Sequence, residues 1–162
     1  MSYEKEFLEK IEQHKGIIYK ISKMYMDNSE DRDDLFQEII FQVWKAFPKF
    51  RGESEFSTWL YRIALNTAIV FLKSEKKRNF INNSDFTNYK IEQDEYDLEK
   101  EEKLSKMYSA INQLNAIDKA FIFYYLEDFS GKKIAEQMGI SEGNVRVKMN
   151  RAKNKLKEIL NT

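Results

Sequence analysis

Apolar residues recur at three- and four-residue steps almost from the start of the chain, the spacing that lines one face of an α-helix. Phe7, Ile11, Ile18, Ile21 and Met24/Tyr25 predict a helix over about residues 4–26. The run Asp27-Asn28-Ser29-Glu30-Asp31 interrupts it with residues whose side-chain oxygens cap helices. A second helix is predicted from about Arg32 to Phe47 on the stripe Leu35/Phe36, Ile39/Ile40, Val43/Trp44 and Phe47, and Pro48 closes it. After the turn Arg51–Glu55, a third is predicted over about Ser57–Lys73, and it is apolar most of the way round. Such a helix must be buried on more than one side or present surface to a ligand.

Residues 79–100 lose the helical period and are rich in Asn, Asp and Glu, so they read as a linker. Twenty-two residues could reach ~70 Å fully extended, twice the ~35 Å of one DNA turn. Beyond it, Leu104, Met107/Tyr108, Ile111 and Leu114 predict a helix over about 101–114, and another follows over about 117–126. The expected architecture is all-α: two small helical domains, 1–78 and 101–162, joined by a flexible acidic linker.

Composition narrows the function. The chain has 162 residues, five Gly and one Pro, too few turn formers for a β-sandwich. With no Cys and one His, a disulfide framework or thiolate zinc site is excluded, and no cofactor or metal is expected. The sequence opening at Met1 lacks the apolar run of a signal peptide and no stretch is long enough for a membrane span, so a cytoplasmic protein without membrane insertion is expected. Net charge is zero, yet the basic minus acidic count is +1 over residues 1–78, −6 over 79–102 and +5 over 103–162. Residues 141–158 alone hold six basic and two acidic side chains, a density that suits a polyanion.

Asp31, Asp33 and Asp34 crowd the start of the second helix, where carboxylates answer exposed N–H groups; they lack the glycine turn and closing Glu of a calcium loop. Lys73, Lys76, Lys77 and Arg78 end the third helix, where cations are favourable in any protein; with the aromatic residues before them they also fit a surface that binds single-stranded nucleic acid. His14 has no evident partner for chemistry and reads as structural or surface. No nucleophile–base pair, phosphate loop or metal spacing supports an enzyme.

Residues 131–150 carry the most information. Ile134, Ala135 and Met138 face inward on a short helix, Gly139 supplies a left-handed turn, Ile140 plugs the corner, and Ser141 caps a second helix that buries Val145, Met149, Ala152, Leu156 and Ile159/Leu160. This is the spacing of a helix-turn-helix, whose second helix enters the DNA major groove by its N-terminal half. Its outward residues are Glu142, Gly143, Asn144, Arg146, Val147, Lys148, Asn150 and Arg151. Arg, Lys and Asn offer the donors that read purine edges or hold phosphates. An ordinary helical hairpin with a basic face is the plainer alternative.

Asp34-Leu35-Phe36-Gln37-Glu38 and the run from Phe50 to Asn66 resemble region 2 of bacterial sigma factors, and Ile134–Leu160 resembles region 4. With only these two regions the chain is similar to the extracytoplasmic-function class. The resemblance implies a dissociable subunit of RNA polymerase that recognises promoter DNA, helps open it and initiates transcription. It assigns core polymerase binding to Asp34, Leu35, Gln37 and Glu38. The minus-ten element falls to Trp59, Arg62 and Asn66, with Lys73, Lys76, Lys77 and Arg78 on the backbone. The minus-thirty-five element falls to Lys132, Lys133, Ser141, Glu142, Gly143, Asn144, Arg146, Val147, Lys148, Asn150 and Arg151. The family is commonly silenced by an anti-sigma factor, and no residue here identifies one. Lys132-Lys133 departs from the acidic or polar pair frequent in the family and adds phosphate-binding charge. A stand-alone helix-turn-helix regulator would explain residues 131–160 but leave the Asp34–Glu38 face without a purpose.

Overall fold

The structure, a computed structural model, describes residues 2–81 and 98–161, with side chains described over 2–74 and 105–161. Every regular element among the described residues is helical, and the chain divides into two compact units, residues 1–84 and 85–162.

In the N-terminal unit, α1 (Tyr3–Tyr25), α2 (Ser29–Ala46) and α3 (Phe56–Ile81) each pack on the other two, with a short 3-10 turn over Phe47–Lys49. Ser2 caps α1 by accepting from the Lys5 N–H. Asn28 caps α2: its Oδ1 accepts from the Asp31 N–H at 2.8 Å while its amide donates to the Asp31 carboxylate at 2.8 Å. That reciprocal cap places the start of α2 three residues ahead of the expected Arg32. Arg32 Nε donates to the Met26 carbonyl at 2.8 Å and ties the first turn of α2 to the end of α1.

Ile18, Ile21, Leu35, Ile39, Val43, Leu60, Ala64 and Ala68 are fully buried and form the centre of this core. Small Ala64 and Ala68 on one face of α3 leave room for the large side chains of α1 and α2. One end is closed by aromatic rings: Phe7 lies 4.9 Å from Trp44 and 5.4 Å from Phe47, and Phe50 and Phe56 lie 5.0 and 5.6 Å from Trp59. His14 is part of this wall, 5.1 Å from Phe56, with Nδ1 2.8 Å from the Lys10 carbonyl.

The C-terminal unit comprises α4 (Leu98–Asn112), α5 (Ala116–Leu126), α6 (Gly131–Met138) and α7 (Glu142–Leu160). Phe121, Ile122 and Phe123 of α5 and Ile111 of α4 fill its core against Val145, Met149 and Ala152 of α7. The buried polar groups here each meet a partner nearer the surface. Lys119 donates to Asn112 Oδ1 at 3.2 Å, and the Asp118 carboxylate meets Lys155 of α7 at 3.1 Å. The Tyr124 hydroxyl donates to Gln137 of α6 at 3.0 Å.

Two expectations need correction. Residues 79–81 belong to α3 and 98–100 to α4, so the expected 79–100 linker loses three residues at each end; its remainder lies outside the described residues. Leu160, expected inside, is 45% exposed, because the rest of the unit no longer covers the last turn of α7.

Candidate nucleic-acid interface

Each unit carries its own candidate surface, built by local capping and by the side of a helix the core leaves uncovered. In the C-terminal unit, Ser130 caps α6 by accepting from the Lys133 N–H at 3.2 Å. Gly139 ends it at φ 70°, ψ 34°, turning its own N–H and that of Ile140 back onto the Ala135 carbonyl at 2.9 and 3.1 Å. Ser141 then starts α7 by accepting from the Asn144 N–H at 3.1 Å. The turn holds two short-spaced helices with α7 projecting along one side, the helix-turn-helix arrangement.

Val145, Met149 and Ala152 face the core, so the rest of the N-terminal half of α7 faces out. Ser141, Glu142, Gly143, Asn144, Arg146, Val147, Lys148, Asn150 and Arg151 are all exposed, as are Lys132 and Lys133 on α6. Not every cation of α7 is available to a ligand. Lys155 is held by Asp118, and Lys153 lies 3.9 Å over the Tyr125 ring. On α6, Lys133 is exposed and lies 5.9 Å from the Phe129 ring centroid, at the outer limit of such a contact, so its charge stays open to a ligand. Arg146, Lys148 and Arg151 keep their charge directed at solvent. Asn154, absent from the expected set, is exposed on the same face, four residues past Asn150.

In the N-terminal unit, Arg62, Asn66 and Lys73 are exposed along one side of α3, and Val70, 65% exposed, lies among them. The four-residue step from Arg62 through Asn66 to Val70 was the signal for this last residue. Trp59 is half-buried in the aromatic wall, so it braces the turn ahead of α3 and offers only part of its surface to a ligand. That turn, Arg51–Glu55, is exposed, with Gly52 at φ 74°. The side chains of Lys76, Lys77 and Arg78 lie outside the described residues.

On α2, Asp34 and Gln37 are exposed and Glu38 is half-buried, accepting from Gln42 at 2.9 Å. Phe41, 53% exposed, continues this face one turn on. Leu35 does not belong to it. Its side chain is fully buried, the inward member of a helix whose next residues toward solvent are its neighbours in sequence, and it acts through packing.

Residues 11–78 match the family model of sigma-70 region 2 and residues 104–156 that of sigma-70 region 4. The chain is 34% identical over 134 residues to the ECF RNA polymerase sigma-E factor of Haemophilus influenzae, covering 76% of this chain and 71% of that one. The chain belongs to the extracytoplasmic-function sigma factors. This sigma factor is also 28% identical over 145 residues to sigma factor SigV of Bacillus subtilis, covering 88% of this chain and 83% of that one. Its fold is similar to that of sigma factor RpoE of Bartonella quintana, solved with the anti-sigma factor NepR, at a TM-score of 0.73, 20% identity and 98% of both chains. It is also similar to CnrH, solved with the cytosolic domain of CnrY, at a TM-score of 0.67 and 19% identity, over 99% of this chain and 90% of that one. As a sigma factor it initiates transcription, with core RNA polymerase and promoter DNA as its partners. No helix among the described residues is long and apolar enough to cross a membrane.

Proposed function

We propose that this sigma factor divides its work between its two units. The N-terminal unit docks on core polymerase through Asp34, Gln37 and Glu38, with Phe41 as the apolar centre of that face, while Leu35 holds the helix from within. It grips the minus-ten element through the exposed row Arg62–Asn66–Lys73, backed by Trp59 and extended by Lys76, Lys77 and Arg78. The C-terminal unit fits the minus-thirty-five element as intact duplex through α7, with Lys132 and Lys133 on neighbouring phosphates. It is not an enzyme: contacts supply specificity and strand opening, and polymerase carries out the chemistry. It works in the cytoplasm, where polymerase is, and an anti-sigma partner silences it; the similar fold of RpoE was solved with the anti-sigma factor NepR.

The observation that supports this reading is that each unit exposes a polar and cationic helix face of its own: Arg62, Asn66 and Lys73 on α3, and Arg146, Lys148 and Arg151 on α7. The test is transcription in vitro with core polymerase on a promoter library. The protein should direct initiation at a defined class of sites, and Asp34→Lys with Glu38→Lys should weaken capture of core by tenfold or more at low salt. A stand-alone regulator would bind duplex equally well without core and ignore both changes.

A further inference from the structure

Around a helix of about 100° per residue, Val147 points about 170° away from the mean direction of the buried Val145, Met149 and Ala152. It is the outward pole of α7 and is 57% exposed. Gly143, Asn150 and Asn154 share its row at four-, three- and seven-residue steps, and all are exposed. Arg151 and Lys148 flank this row on one side and Arg146 on the other. The helix therefore presents a neutral ridge with Arg151 and Lys148 along one margin and Arg146, one turn after Glu142, on the other, a layout that fits a DNA groove whose floor is base edges and whose walls are phosphates.

Two residues of the ridge are poor choices for an exposed helix. Glycine and β-branched valine both propagate a helix less well than alanine, lysine or glutamate. A Cβ on Gly143 would meet only the Ser141 Oγ, at 3.9 Å, so the fold leaves room for alanine there. What a bare Cα at an exposed helix start provides is close approach by something outside the chain. One turn on, Val147 offers methyl groups and no hydrogen bond. In the major groove the apolar feature that distinguishes one base pair from another is the C5-methyl of thymine.

We propose that Val147 selects a thymine in the upstream promoter element by packing on its C5-methyl, with Gly143 letting the helix sit deep enough for that contact and Arg146, Lys148 and Arg151 held to the flanking phosphates. The inference rests on α7 as the duplex-reading helix and adds which ridge residue specifies and what it recognises.

The experiment uses the full chain bound to core polymerase and a duplex promoter selected from a random library by that holoenzyme. Each thymine of the upstream element is replaced singly by deoxyuridine, which removes the methyl and nothing else. With the native chain, one thymine should cost about fourfold in affinity, roughly what burying one methyl group is worth. With Val147→Ala, which removes two of the three side-chain carbons, most of that penalty should disappear, and all other positions should keep their effects. Helix content of the variant, read by circular dichroism, should not fall, since the side chain is exposed and alanine propagates a helix better than valine. Equal penalties in both proteins, no sensitive thymine, or a selected element without thymine overturns the assignment of Val147. If Arg146→Ala with Arg151→Ala leaves the duplex contact intact, α7 is not the reading helix, and the parent reading fails with it. If those changes weaken binding while deoxyuridine has no effect, the methyl contact alone is lost.

Discussion

Gly139 at φ 70° and Asp128 at φ 58° hold the left-handed positions that end α6 and α5. At Gly139 no atom lies within 4 Å of where a Cβ would stand, so a side chain there meets no clash, only the intrinsic cost of that backbone angle. Gly139→Ala should therefore destabilise the C-terminal unit by ~1–2 kcal/mol, read as a lower urea midpoint by circular dichroism, with Gly139→Asn costing less. An unchanged midpoint would mean that the turn finds another geometry. This residue was legible in the sequence because glycine is the residue that reaches the left-handed turn at least cost. Leu35 was not, for the opposite reason. It sits in a sigma-like motif and on an apolar stripe, and its 0% exposure resolves the competition in favour of the stripe. Trp59 was half-legible: its expected place on the third helix is correct, but that Phe47, Phe50 and Phe56 surround its ring depends on the turn between helices, which periodicity does not describe.

At the scale of elements, the periodic interior of each helix was readable and the ends were less so. The stripe of α2 points to Arg32, the first turn that needs burial, whereas the helix starts at Ser29, where the Asn28 side chain accepts from the otherwise free Asp31 N–H. α3 continues to Ile81 through Asn79-Phe80-Ile81, read as the beginning of the linker, since a segment with no Pro or Gly can propagate a helix after its apolar stripe has ended. Ser141 shows how a cap can be tied to the proposed function, because its hydroxyl accepts from the Asn144 N–H at 3.1 Å at the end of α7 that we propose faces DNA. Ser141→Ala should cost about 1 kcal/mol of stability and speed amide exchange at Asn144. Ser141→Asp should keep the cap, and an acidic side chain suits the positive end of the helix dipole. The same carboxylate would face promoter phosphates, so Ser141→Asp should restore stability and still weaken duplex binding. If stability and binding move together in both variants, the hydroxyl serves the fold alone.

For the whole molecule, each unit has its own closed core, one centred on Leu35, Ile39 and Leu60 and the other on Ile111, Ala120 and Phe121. Both tryptophans of the chain, Trp44 and Trp59, belong to the first unit, so their fluorescence reports its unfolding while helical dichroism reports both units. Ile39 and Ile111 are fully buried, and truncating either to alanine should cost 2–5 kcal/mol, roughly the range for large-to-small changes in a packed interior. Ile39→Ala should move the fluorescence midpoint in urea. Ile111→Ala should leave that midpoint in place and lower only part of the dichroism transition. The same independence should appear in function: Ile111→Ala at intermediate urea should lose upstream-duplex binding while the folded first unit still captures core polymerase. Coincident shifts of both signals in both variants would show that the two cores unfold as one, and the division of labour would then rest on surfaces that cannot be separated by stability.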